Sequence, residues 1–166
     1  MQRRAAQLDP LVQRKLAAPH APLTPSESRE CLISCIKHGK EAAAAASGKR
    51  CVVVLGNTGA GKSAFINLLA GCEFAYEDDD RMVVRADSAV AELMRIGHSN
   101  VSETFAPQVE DASSSLGAGF AFADCPGFLD NRGFEINVAN AVNVAQTVSA
   151  SESIVCVVVV NYYSLR

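Results

Sequence analysis

Gly56-Asn57-Thr58-Gly59-Ala60-Gly61-Lys62-Ser63 stands between the β-branched run Cys51 to Leu55 and the helically spaced apolar residues of Ser63 to Ala70. Five apolar residues without polar alternation suit a strand covered on both faces, and the spacing that follows suits a helix. The octapeptide is a complete GxxxxGKS/T pattern in the strand, turn and helix setting that gives the pattern its meaning. Glycines let the backbone curl so that successive N–H groups face inward, and the positive end of the following helix adds to them; a polyphosphate fits such a nest. On this reading Gly56, Asn57, Thr58, Gly59, Ala60, Gly61, Lys62 and Ser63 all line a nucleotide. Lys62 meets the β and γ oxygens as a catalytic cation, and the Ser63 hydroxyl ligates the magnesium that bridges them.

Asp124-Cys125-Pro126-Gly127 lies 62 residues beyond Lys62, after the apolar run Gly119 to Ala123. A carboxylate at the tip of a strand beside a phosphate loop is placed to anchor magnesium. Gly127, lacking a Cβ, lets its amide approach the terminal phosphate. Asp124 is therefore a metal residue and Gly127 a catalytic one in this reading.

Alternation continues along the chain. Met82 to Arg85 and parts of Glu92 to Ile96 read as strands, Ser113 to Ser115 as a loop, Glu135 to Ser149 as a helix and Ser153 to Val160 as a second fully buried strand. Strands alternating with helices predict an α/β fold with a doubly wound, mainly parallel sheet. With the phosphate loop, that is a partial P-loop NTPase occupying residues 49–166. Thr24, Pro25 and Glu27 form a capping box that predicts an N-terminal helix over 24–48, weakened in the middle by Gly39. Residues 1–23 carry three prolines and no sustained apolar period, and read as a disordered tail. Cys31, Cys35 and His38 share one face of the 24–48 helix; small buried side chains are the expectation there, with a soft-metal site as the alternative.

At 166 residues the chain has room for one domain, and its 49 % apolar and 20 % charged residues predict a packed core rather than disorder. The longest strongly apolar run, Ile154 to Val160, falls far short of the about 20 residues of a membrane-spanning helix, so no transmembrane segment is expected. Met1 to Arg50 holds nine Lys/Arg against four Asp/Glu, whereas Cys51 to Arg166 holds six against fourteen. The acidic body argues against a broad nucleic-acid footprint. Six cysteines without a CxxC pair or a signal-peptide core predict reduced thiols and a cytoplasmic location.

Gly56 to Ser63 followed by Asp124 to Gly127, within Asp124-Cys125-Pro126-Gly127-Phe128-Leu129-Asp130, resembles a G domain of the translation-factor-related GTPase class, nearest its septin and immunity-associated branch. The resemblance covers about residues 50–166. It implies a GTP and Mg²⁺ switch in which Lys62 and Ser63 belong to the phosphate loop and Asp124 and Gly127 to the second switch. Thr104, between the two motifs, matches the first-switch threonine that ligates magnesium and acts in catalysis, with Ser99 and Ser102 as nearby alternatives. Phe128 stands where some members carry a water-orienting Gln, which implies slow hydrolysis, and Arg132 is a candidate charge donor to a paired protomer.

No Asn- or Thr-Lys-x-Asp element follows the last strand, so the domain reads as truncated before its guanine-recognition motif, and guanine comes by analogy. Ser153 to Val160 would then be an open edge, suited to a second copy or another protein as partner. The expected function is a GTP-binding switch with GTP and Mg²⁺ as its cofactors, a GTPase if the intact domain is active. The alternatives are an ATP-binding P-loop enzyme, either an ATPase or a phosphotransferase, and a non-catalytic interaction module.

Overall fold

Strand β1 (Arg50–Leu55) lies inside a four-stranded sheet in the computed structural model, which describes residues 8–77, 81–97, 106–127 and 132–162. Its neighbours are β5 (Phe120–Asp124) and β6 (Ser153–Val158), both parallel to it, and β4 (Gln108–Asp111) runs antiparallel on the far side of β5. Alternate residues of β1 and β5 feed two different cores, which is why neither run alternates with polar residues. Val54 and Phe122 face helix α3 (Lys62–Ala70), where Ile66, Ala70 and Met94 complete the packing. Cys51, Val53, Ala121 and Ala123 face the other way, under Ala42 and Ala46 of α2 (Pro25–Ala46) and Val144 and Val148 of α5 (Phe134–Ala150). The fold is therefore α/β, with a mixed, mostly parallel sheet covered by helices on both faces.

The capping box at the start of α2 is formed. Glu27 N–H donates to Thr24 Oγ1 at 3.3 Å and Thr24 N–H donates to Glu27 Oε2 at 2.8 Å. Gly39 in the middle of α2 has a packing reason: the place of its missing Cβ is filled by the Asn143 side chain of α5. Asn143 Nδ2 donates to Cys35 O at 3.1 Å across the same crossing.

Four segments depart from the sequence reading. Within the stretch expected to be a disordered tail, Pro10–Ala17 forms helix α1. Asp9 caps it, accepting from Leu11 N–H at 2.8 Å, and Val12, 2 % exposed, packs with Cys31, Cys35, Ile136 and Ala139. Ser113–Leu116, expected as loop, is a single helical turn, α4. Residues 92–96 form no strand, because the Asn67 side chain takes their backbone groups: Oδ1 accepts from Leu93 N–H and Met94 N–H at 2.9 Å each, and Nδ2 donates to Met94 O at 2.6 Å. A two-stranded antiparallel hairpin, β2 (Phe74–Tyr76) with β3 (Met82–Val84), accounts for the strand expected at Met82.

The fourth departure is β6. Its apolar run predicts full burial, yet it ends at Val158 and is the sheet's outer strand, the open edge that the missing guanine-recognition motif leads one to expect, with Val155 61 % and Val158 63 % exposed. Among the described residues no helix is long and apolar enough to cross a membrane.

Candidate functional site

After β1 the chain joins the sheet at its margin as β4, comes inward to β5 beside β1, and then crosses to β6 on the other side of β1, so the carboxyl end of β1 is a point where strand order switches, the usual ligand position in open α/β sheets. The turn Gly56 to Gly61 sits there. Gly56 is fixed by a close approach: the carbonyl oxygen of Val159 occupies the place of a Cβ. Val159 N–H in turn donates to Leu55 O at 2.8 Å, so the root of the turn is clamped to the continuation of β6. Gly61 caps α3 at φ +90°, a conformation costly for other residues, and no side chain caps that helix end. The first-turn amides of α3 are thus left for a ligand, and no acidic side chain occupies that turn.

Lys62 is the first residue of α3 and only 8 % exposed. Its Nζ donates to Asn57 O at 3.0 Å, reaching back across the turn. Burial pulls its pKa below the ordinary lysine value, opposed by the charge of Asp124. A buried ammonium whose charge is only partly balanced is suited to an anionic ligand. Next to it, Ser63 Oγ donates to Asp124 Oδ2 at 2.6 Å. Register makes this contact, since pairing Val54 with Asp124 sets the carboxylate at the tip of β5, beside the start of α3. Asp124 is 1 % exposed. Cys125 beside it is a neutral core thiol, pushed up to about 12 chiefly by burial and then by the Asp124 charge.

A hydroxyl and a carboxylate in contact beside a lysine suit a small hard cation that keeps several waters and shares phosphate oxygens. Among the described residues no group of three or more His, Cys, Asp or Glu side chains is placed to hold a metal. A magnesium ion here would therefore depend on the phosphates for its remaining ligands.

Gly127 approaches the Gly56 to Gly61 turn so closely that the Thr58 backbone and Oγ1 stand where its Cβ would be. Its lack of a side chain is thus required by the loop itself, a reason the sequence reading did not contain. Thr58 Oγ1 is buried at this seam and has no hydrogen-bond partner among the described residues.

The structure thus brings together Gly56 to Ser63, Asp124 and Gly127. Thr104 and Phe128 lie outside the described residues. Arg132, the candidate charge donor to a paired protomer, is 3 % exposed and so is not presented on the surface. Cys31 and Cys35 are core residues, and burial, with the Cys31 neighbour second, pushes the Cys35 thiol up to about 12. Two contributors escaped the sequence reading. The Asn57 carbonyl matters through its backbone, which no residue type signals. Asn67, a polar residue on an otherwise apolar helix, was visible as an exception and is fully buried.

Compared with known proteins, the chain has no significant match to a family model, a curated protein or a solved structure.

Proposed function

We propose that this chain binds a nucleoside triphosphate with Mg²⁺ at the Gly56 to Ser63 turn, and that the nucleotide is GTP, as in the septin and immunity-associated G domains its motifs resemble. The observation that carries the reading is the 2.6 Å contact of Ser63 Oγ with Asp124 Oδ2 beside the buried Lys62 and the uncapped end of α3. A bare turn would need none of these groups. The first-turn amides of α3 and the Lys62 ammonium hold phosphate oxygens, and Ser63 with Asp124 holds the metal, the carboxylate directly or through water. Mg²⁺ held there would supply positive charge to neutralise the phosphate oxygens. Hydrolysis, where it occurs, is slow on this reading, because Phe128 stands where some of the G domains the chain resembles carry a water-orienting Gln. Guanine over adenine rests on the motif resemblance.

A second reading has its own observation. The exposed apolar side chains of β6 and the residues just after it, Ile154, Val155 and Val158 in the strand and Val160 beyond it, each at least 39 % exposed, favour a protein interaction module. Titration with fluorescent GTP and ATP, with and without Mg²⁺, distinguishes these readings. The expected result is Mg²⁺-dependent GTP binding that Lys62→Ala abolishes. Preference for ATP turns the reading to an ATP-dependent enzyme, absence of binding leaves the interaction module, and affinity that survives Lys62→Ala overturns the phosphate-loop reading.

A further inference from the structure

Two margins bound the four-stranded sheet, β4 on one side and β6 on the other. They differ in length and in charge. β4 has four residues and ends in Glu110 and Asp111, side chains of the kind that keep a sheet edge from associating. β6 has six residues, and Ser153 to Val160 carries no charged side chain, in a body where six Lys/Arg stand against fourteen Asp/Glu from Cys51 to Arg166. Two such acidic bodies can therefore meet along β6 without setting like charges opposite each other.

The partner strand fixes which backbone groups of β6 are free. β1 turns Arg50 and Val54 toward β5, since Arg50 N–H donates to Gly119 O and Val54 O accepts from Cys125 N–H. It turns Leu55 toward β6, where Leu55 O accepts from Val159 N–H at 2.8 Å. Alternation along a parallel pair then gives Val155 and Val157 to the ladder with β1 and leaves Ile154, Cys156 and Val158 with N–H and C=O directed away from the sheet. Among the described residues no strand pairs with that side. Cys156 lies midway between the other two, and it is the one exposed cysteine of the six.

Resting on the interaction reading above, we infer that β6 is a homodimer interface: two copies join β6 to β6, antiparallel, about a two-fold axis at Cys156. In this register Ile154 pairs with the partner's Val158 and Cys156 with the partner's Cys156, so every outward N–H and C=O of the strand is met. The joint closes on itself. Pairing of β6 with β4 of the next copy would instead run on into a filament and would seat Glu110 and Asp111 along the uncharged strand.

The test uses the full chain without nucleotide. Sedimentation equilibrium is expected to show monomer and dimer and nothing larger, and a short bismaleimide is expected to join two chains through Cys156, because the Cα atoms of such a pair lie about 5.5 Å apart. Cys156→Ser keeps the dimer and loses the cross-link. Cys156→Pro deletes the outward N–H and spares the ladder to β1; it weakens the dimer by about ten- to a hundredfold, with little change in melting temperature. A parent protein that is monomeric at every concentration, or one that forms open-ended assemblies, overturns the inference. So does a dimer that a bismaleimide does not join at Cys156, a measurement that decides the matter if Cys156→Pro does not fold, or a dimer that folded Cys156→Pro leaves intact. The nucleotide titration above decides the broader interaction reading by itself, so the two can fail separately.

Discussion

Lys15 Nζ lies 3.3 Å from Glu135 Oε2, with the two side chains 7 % and 11 % exposed, so an ion pair nearly withdrawn from water ties helix α1 to the first turn of α5. Ser28 Oγ of α2 donates to the other carboxylate oxygen at 2.6 Å. Three elements meet on one carboxylate. The chain just before it is shaped to admit them, since a Cβ on Gly133 would lie 2.9 Å from Lys15 Cε and Nζ.

Removing the cation leaves a buried carboxylate with Ser28 as its remaining side-chain donor. Lys15→Met is expected to destabilise the fold by about 2–4 kcal/mol, somewhat below the usual loss for a broken buried pair because the Ser28 hydrogen bond and the helix N-terminus remain. Urea unfolding measures it. The double variant Lys15→Met/Glu135→Gln recovers part of the loss, since no charge is then stranded; a double variant as damaged as the sum of its parts would show that the pair is not coupled.

Acid should loosen the same corner. The Glu27 carboxyl is held down to about 2, first by the Thr24 backbone amide and then by Arg14, and Glu135 is lowered mainly by the Ser28 hydroxyl. Carboxylates with depressed folded values contribute stability that is fully present above their unfolded value, about 4.5, and is lost as pH falls through the folded one. Stability to urea is therefore expected to be flat from neutral pH to about 5 and to decline below it, less so in Glu27→Gln. Carboxyl NMR titration should place the Glu27 midpoint near 2. A midpoint near the ordinary value would remove the capping-box contribution.

On the proposed reading, Lys62 trades stability for binding. Its burial depresses its pKa, which means that the empty fold bears a cost for keeping the ammonium charged. Lys62→Met is expected to raise the stability of the nucleotide-free protein by up to about 1 kcal/mol while abolishing nucleotide affinity. Calorimetric melting with and without GTP and Mg²⁺ tests both halves. A variant that is both less stable and still competent would contradict the pattern.

The outer strand β6 carries no charged residue between Ser153 and Val160, and its unpaired side offers backbone donors and acceptors. Such an edge associates unless blocked. Concentration-dependent association by light scattering is expected for the parent protein and is reduced by Val155→Lys, which places a cation on a strand position 61 % exposed without emptying the core. Unchanged association would move the contact elsewhere.

Legibility followed the range of the interactions involved. Gly56 to Ser63 and its flanking strand and helix could be read because local spacing fixes them, and Asp124 because it ends an apolar run. Helix α1 could not: it is short, and its support comes from Ile136, Ala139 and Glu135, far along the chain. Strand β4 buries only Val109 of its four residues, so no period marks it. Residues 92–96 have apolar character but satisfy their backbone through one distant Asn67. The exposure of β6 is a property of sheet order, and an apolar strand reads alike whether it lies inside or at a margin.

At Gly39 the two long helices are notched together by Asn143, one side chain seated in one gap with its amide fastened to the opposite chain. A notch of this kind resists sliding and turning alike. The outer face of α2, and α1 packed beside it, are consequently held at a set bearing to the sheet and to the Lys62 turn.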